Sequence, residues 1–339
     1  METSKKNEMI SIGELVDREK RHLNYLRISI TDRCNLRCLY CAPDGRIPKL
    51  NHREILSLEE IMRIVNVGIH LGIRKIRITG GEPLVRRGAI DLLGRLARIP
   101  QLKDVSLTSN GVLLEANAQR IFDAGIRRIN VSLDSLIREK FAHITGYDYF
   151  DRVWAGIMKA YEIGFAPIKI NAVAMRGIND DEILDLAKLT FKYPFHIRFI
   201  EYMPIGNSRS DSTNQILTPE IQERVATLGE LIPLDNGQID GPARRYRITG
   251  AKGEVGFISA LSHHFCATCN RLRLTADGRL RPCLLSDQYI PMKETIRGDG
   301  SDEQLAQCFR NAVKQKAAKH QLSLNGAAAV KDQMQGIGG

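Results

Sequence analysis

Aromatic side chains are scarce in this chain of 339 residues, 6% of the total with a single tryptophan. No apolar run approaches the roughly 20 residues that a membrane-spanning helix requires. The start, "METSKKNEM", lacks the apolar centre of a secretory signal. The expectation is a cytoplasmic protein with no membrane partner. Acidic residues are in deficit, 39 against 49 lysines and arginines, and the net charge of +10 implies an anionic partner. That partner is a nucleic acid or a phosphorylated small molecule, and the shortage of aromatics on which bases would stack weighs against nucleic acid. The cysteines cannot all pair, because there are seven. In a large intracellular chain, clustered cysteines bind metal more often than they form disulfides.

What is present is the composition of a globular protein, 43% hydrophobic and 26% charged, long enough to bury its own core. Between Tyr25 and Pro204 a short β-rich run, a turn and an amphipathic segment alternate six times, with strands expected at 25–30, 75–79, 104–108, 128–133, 168–173 and 196–202. Such alternation implies a parallel sheet with right-handed crossovers, either doubly wound or a full or partial barrel. Polar residues cluster at the C-terminal ends of these strands, where a (β/α) barrel assembles its active site. The fold expected is α/β, a partial (β/α)6 TIM-type barrel over 23–235. It would follow an N-terminal segment (1–22) and precede an α+β extension (236–330) and a flexible diglycine tail (331–339). Within the extension, 245–249, 255–259 and 271–275 read as short antiparallel strands and 305–318 as a helix.

Three cysteines, Cys34, Cys38 and Cys41, follow the first strand within eight positions. An ordinary 4Fe-4S cube takes four thiolates, so three would leave one iron open. Catalytic zinc takes three protein ligands plus water, and spacing alone does not separate the two metals. Cys-x3-Cys-x2-Cys with Tyr40 before the last cysteine resembles the signature of the radical S-adenosylmethionine (SAM) superfamily. The resemblance implies a 4Fe-4S cluster whose open iron is chelated by the amino and carboxylate groups of SAM. "RITGGEPLVR" (77–86) matches that superfamily's glycine-glycine-glutamate segment. Two glycines let backbone approach a ligand closely, and the resemblance makes that ligand the SAM amino group. A plain Gly-Gly turn is the local alternative.

"HHFCATCNRLRLTADGRLRPC" supplies a second triad, Cys266, Cys269 and Cys283. Alone it reads as a Cys3His zinc site completed by His263 or His264. Together the two triads resemble the GTP 3',8-cyclase family of molybdenum cofactor biosynthesis. The likeness runs from "YLRISITDRCNLRC" through "KIRITGGEPLVRR", "LTSNG", "INVSLDS" and "FIEYMP" to the final "IGG". It implies a second 4Fe-4S cluster whose open iron meets the guanine of GTP. It also implies conversion of GTP to (8S)-3',8-cyclo-7,8-dihydroguanosine 5'-triphosphate, begun by a 5'-deoxyadenosyl radical that takes hydrogen from C3'. Ser109 and Ala42 depart from the family pattern, as does "SHH" before Phe265.

In "RLRLT", Arg271, Arg273 and Thr275 share one strand face and Leu272 and Leu274 the other, a candidate phosphate clamp or simply an exposed basic strand. The resemblance carries GTP contacts onto Arg27, Arg77, Thr108, Lys169, Arg271, Leu272 and Arg273, and SAM contacts onto Tyr40, Gly81, Ser132 and Met203. Lys169 and Asn171 should point into a polar barrel interior, where an anionic substrate would offset the cost of burying a lysine. The implied partners are GTP, SAM, a flavodoxin-type low-potential electron donor, a second copy in a homodimer and, functionally, the next pathway enzyme, cyclic pyranopterin monophosphate synthase. The Gly338-Gly339 tail is implied to reach into the active site, and Cys308 reads as a small buried hydrophobe. Another radical SAM enzyme with an auxiliary cluster, such as a peptide-modifying one, and a zinc-binding nucleic-acid protein are the competing readings.

Overall fold

Alternating apolar and polar residues along six runs give six strands whose two faces meet different surroundings. The computed structural model describes residues 13–41, 49–203, 205, 214–235, 237, 241–320 and 330–338. Ala42, Gly339 and most of the expected 205–215 loop lie outside them. The strands β1 (Tyr25–Ser29), β2 (Lys75–Thr79), β3 (Asp104–Ser109), β4 (Ile129–Ser132), β5 (Ile168–Ala174) and β6 (His196–Glu201) pair in parallel, each with the next. They are connected by α1 (Leu58–His70), α2 (Ala89–Ala97), α3 (Leu114–Asp123), α4 (Arg138–Thr145) with α5 (Phe150–Ile163), and α6 (Ile183–Lys192).

Odd and even positions of each strand separate cleanly. Leu26, Ile28, Ile76, Ile78 and Leu107 join the core between sheet and helices. Register puts the intervening residues in rows across the other face: Arg27 stands beside Arg77 and Arg77 beside Ser106, while Ser132 stands beside Asn171 and Asn171 beside Arg198. The sheet is thus apolar toward the helices and polar toward the barrel interior. Helix α1 starts at a capping box in which Ser57 and Glu60 satisfy each other's backbone N–H. Its Gly68 lets α9 (Asp302–Lys314) pack closely, since a Cβ there would lie 3.3 Å from Phe309.

After α7 (Thr218–Ala226), the C-terminal region extends the same sheet at both edges. At one edge β9 (Glu254–Ile258) adds in parallel to β6 and carries β8 (Arg244–Ile248) and β7 (Leu231–Leu234) antiparallel. At the other, β10 (Arg271–Leu274) adds in parallel to β1 and carries β11 (Arg279–Arg281) and β12 (Ile290–Pro291). The order β12-β11-β10-β1-β2-β3-β4-β5-β6-β9-β8-β7 leaves the sheet open, a partial barrel. The strands expected at 255–259 and 271–275 were read as antiparallel, yet each has one parallel neighbour, supplied by the barrel edge far away in sequence. The division expected at 235 falls between β7 and β8, which are paired. Helix α8 (Met292–Arg297) and α9 cover the β11 side, and α9 buries Cys308.

Over its described residues, 330–338, the tail expected to be flexible makes packing contacts. Val330 bridges Ile205, and α10 (Met334–Ile337) buries Ile337. The Gly338 carbonyl, inside the barrel, accepts hydrogen bonds from Arg273 Nη1 at 2.8 Å and Arg27 Nη2 at 3.4 Å. Apolar residues at alternate ends of this short segment give it a core to join.

Candidate active site

The loop after β1 carries the first triad and is held by backbone on two sides. Gly81 N–H donates to the Thr31 carbonyl at 2.7 Å and Glu82 N–H to that of Arg33 at 2.8 Å. Contact is so close that a Cβ on Gly81 would lie 2.5 Å from the Arg33 oxygen, and one on Gly80 2.8 Å from that of Thr31. Here the glycines serve the cysteine loop itself. From the other side Arg37 and Leu39 N–H groups donate to Thr145 and Ile144 at the end of α4. Glu82, fully buried, accepts from Leu84 N–H, Asn110 N–H and the Ser109 hydroxyl, so Ser109 fills its place in the family pattern with a working hydrogen bond. Burial pushes the Glu82 carboxyl up to about 7 against those bonds.

Cys34 Sγ accepts from Leu36 N–H at 3.4 Å and Asn110 Nδ2 at 3.7 Å. Tyr40 donates its hydroxyl to Asp134 at 2.7 Å, and the other Asp134 oxygen accepts Val173 N–H. Burial, together with nearby negative groups that include Asp134 and the other thiols, raises Cys38 and Cys41; burial also pushes Asp134 up to about 6. Burial and negative neighbours disfavour thiolates here, so ligation by them would be favoured by a bound cationic centre.

The second triad has the opposite surroundings. Cys266 and Cys269 sit on a short turn, Cys269 N–H donating to the Cys266 carbonyl, and the β10–β11 hairpin returns the chain to Cys283. Burial opposes ionisation of Cys269, but the Arg271 and Lys316 charges outweigh it and hold the thiol down at about 6. Arg271 also lies over the Phe265 ring at 4.8 Å. Among the described residues the paired histidines do not group with the second triad at single-ion spacing. His264 Nδ1 lies 3.0 Å from the Ala260 carbonyl, its ring packs edge-on against His320, and His263 is exposed. Among the described residues, no three His, Cys, Asp or Glu side chains group at the spacing of a single metal ion. Three thiols at each site suit an iron–sulfur cube with one uncapped iron.

Both triads open into one cavity of about 270 Å³. Of the residues expected at SAM, Tyr40, Gly81, Ser132 and Met203 line it; of those expected at GTP, Arg27, Arg77, Thr108, Arg271 and Arg273 do. Lys169 and Leu272 do not. Lys169 is buried on the inward face of β5, one layer below Asn171, whereas Leu272 points the other way and is fully buried in the core, so its side chain makes no wall of the cavity. Met203 packs beside the tail cluster of Ile205 and Ile337 as well as facing the cavity. Arg198, on the cavity wall, was missed; its signal was a cation at an alternate position of the apolar strand "HIRFIE". Register places Arg273, Arg27 and Arg77 side by side on three adjacent strands. Thr108 Oγ1 and Asn171 Oδ1, buried at the same cavity, have no hydrogen-bond partner among the described residues, as expected of groups that await a ligand.

An open parallel barrel with three cysteines after its first strand, a glycine-glycine-glutamate turn after its second and a C-terminal triad facing the same cavity defines the radical SAM class of enzyme. A family model described as the radical SAM superfamily matches residues 28–190, and one described as Molybdenum Cofactor Synthesis C matches residues 195–322. The chain belongs to the GTP 3',8-cyclase family. It is 45% identical over 326 residues to the GTP 3',8-cyclase of Syntrophomonas wolfei, covering 96% of this chain and 100% of that one. With the Moorella thermoacetica GTP 3',8-cyclase it shares 47% over 306 residues, 90% and 95% of the two chains. Among solved structures, Streptococcus suis SuiB overlays with a TM-score of 0.61 at 15% identity, over 87% of this chain and 69% of that one, a likeness of fold.

Proposed function

We propose that this chain is a GTP 3',8-cyclase acting at the entry to molybdenum cofactor synthesis, with the two triads as ligands of two 4Fe-4S clusters. The observation that carries this reading is the row of Arg273, Arg27 and Arg77 beside the second triad's cavity wall. Like charges directly opposite on neighbouring strands repel, and a triphosphate is the ligand that turns the repulsion into binding. When bound, the first cluster and SAM would supply one-electron radical chemistry for hydrogen abstraction at C3' of GTP, and ring closure onto C8 would take a second electron from the external donor and a proton to reach the dihydro product.

The chain's own residues bind, orient and exclude water. Cys34, Cys38 and Cys41 would hold the first cluster and Cys266, Cys269 and Cys283 the second. Tyr40, oriented by Asp134, would with Gly81, Ser132 and Met203 frame SAM, whose sulfonium suits an end of the cavity lined by Asp134 and Glu201. Arg271 would add to the arginine row at the triphosphate, Thr108 would accept or donate at GTP, Leu272 would contribute backbone only, and Lys169, a layer below the cavity wall, would add positive charge from beneath it. Arg27 and Arg273 already bind one neutral acceptor, the Gly338 carbonyl, in the place of a phosphate oxygen. A cytoplasmic location, a flavodoxin-type donor, a homodimer and supply of product to cyclic pyranopterin monophosphate synthase complete the proposal.

The test is turnover of anaerobically reconstituted protein with reductant, SAM and GTP deuterated at C3'. Deuterium in the 5'-deoxyadenosine is the expected result. SAM cleavage that leaves the label in GTP would overturn the assignment of substrate.

A further inference from the structure

Lys316 lies just beyond α9 with 6% of its surface exposed, and its ammonium donates three hydrogen bonds: to Cys269 Sγ at 3.6 Å, to the Arg271 carbonyl at 3.0 Å and to the Pro282 carbonyl at 2.7 Å. The three donors of a lysine are thereby all used. Arg271 follows Cys269 by two residues and Pro282 immediately precedes Cys283, so one cation ties together the two segments that carry the second triad. The remaining ligand is fixed from the same side. Arg21 Nη1 donates to the Cys266 carbonyl at 2.6 Å and Nη2 to Ala317 at 2.9 Å, next to Lys316, while Asp17 holds Nε. At the first triad the corresponding donors to sulfur are neutral, a backbone N–H and the Asn110 amide.

We propose that Lys316 is a positioning residue for the second triad and sets the reduction potential of the cluster bound there. Reduction adds one electron, supplied by an external reductant, to a cluster already held by thiolates. A buried cation at hydrogen-bond distance from a ligand sulfur stabilises the added charge, so it raises that cluster's potential. At Cys34 the nearby cation, Arg37, donates to the backbone carbonyl at 2.8 Å, and among the described residues the donors to the sulfur itself are neutral. The two clusters of one cavity are thereby separated in potential, the second being the easier to reduce. The inference rests on the two-cluster reading.

The experiment is an EPR-monitored redox titration of the reconstituted two-cluster protein, comparing wild type with K316M and K316R. In K316M the second cluster's reduction equilibrium should fall at least tenfold, ~59 mV for one electron. The first cluster should not move, and K316R should retain more than half of the wild-type difference. An unchanged second midpoint in a K316M protein that still holds both clusters overturns the inference. Should K316M fail to hold the second cluster, pulsed EPR of wild type grown with 15N-lysine decides. A lysine 15N coupled to the reduced second cluster supports the proposal, and its absence overturns it. Wild-type protein that binds iron for one cluster only would instead show that the two-cluster reading itself has failed.

Discussion

Replacing Gly81 by alanine separates two reasons for a glycine at that position, approach of SAM and approach of the cysteine loop. The new Cβ would lie 2.5 Å from the Arg33 carbonyl oxygen, 2.7 Å from its carbon and 3.0 Å from the Asp32 oxygen. All are backbone atoms and none can rotate aside, so the loop must withdraw by roughly 1 Å to reach ordinary contact at ~3.5 Å. Withdrawal strains the Gly81 N–H bond to Thr31 and the Glu82 N–H bond to Arg33. Overpacking and two weakened hydrogen bonds together cost about 2–4 kcal/mol, and the displacement falls directly before Cys34. Thermal unfolding of the apo-protein, followed by circular dichroism, should show a lower Tm. Anaerobic reconstitution should yield protein that loses iron at the first triad and keeps it at the second. Gly80→Ala should act the same way more mildly, its nearest backbone contact being 2.8 Å. If G81A unfolds at the wild-type temperature and binds its full iron, with only its affinity for SAM reduced, the loop-packing explanation is wrong and the glycine serves the ligand.

Arg273→Lys exchanges a two-pronged guanidinium for a point charge and should weaken GTP binding by ~10–100-fold, with SAM binding unchanged, as read by equilibrium dialysis of the anaerobic holoprotein. Gly338→Ala would place a Cβ 2.5 Å from Thr79 Oγ1 at a residue with φ +71, so limited proteolysis should release the tail faster than in wild type; equal rates would mean that the tail is not seated there. His196 is held down at about 4 by burial, with Lys169 and Arg198 adding to the effect and Glu254 opposing it. Below about 6.5 the unfolded chain takes up a proton that the folded one refuses, so stability falls as the pH drops from about 6.5 to 4. His196→Gln should remove that part of the acid-side loss, and urea unfolding at pH 7 and pH 5 would show it as a smaller difference between the two.

Strand positions were legible because the alternation is strict: in "YLRIS" and "KIRIT" every second residue is apolar and every other one polar or aromatic, and burial on two unlike faces demands that pattern. The two triads were equally legible, since metal ligands close in sequence need no tertiary knowledge to be grouped. What could not be read was pairing at a distance. Nothing local says that "RLRL" pairs with β1 or "EVGFI" with β6, yet those pairings set Arg273 beside Arg27 and the second triad above the same barrel mouth. Lys316 and Arg21 escaped for the same reason, each being an ordinary basic residue until the fold puts a cysteine carbonyl or sulfur beside it. The doubled histidine misled in the opposite direction: it has the ligand chemistry, but the Ala260 carbonyl and His320 occupy His264.

The arginine row explains why a cavity wall so expensive to fold is retained. Burial, with the neighbouring Arg77 and Arg271 charges adding to it and Tyr25 opposing, pulls Arg27 down to about 10, still protonated at neutral pH, and Arg273 is lowered further by burial and by Arg27 and Arg271. Cations crowded in this way raise the free energy of the folded chain, and the Gly338 carbonyl offers two of them a dipole rather than a charge. A triphosphate bound as proposed would bring several negative charges to the same guanidinium groups and relieve repulsion already sustained in folding. On the reading proposed above, the Asp134 carboxylate on the cavity wall would disfavour that ligand beside the first triad. On the same reading the sulfonium end of SAM would be repelled by the arginine row. Sorting two substrates to two ends of one cavity would then require no gate between them, only the unlike charge of the groups around each set of thiols.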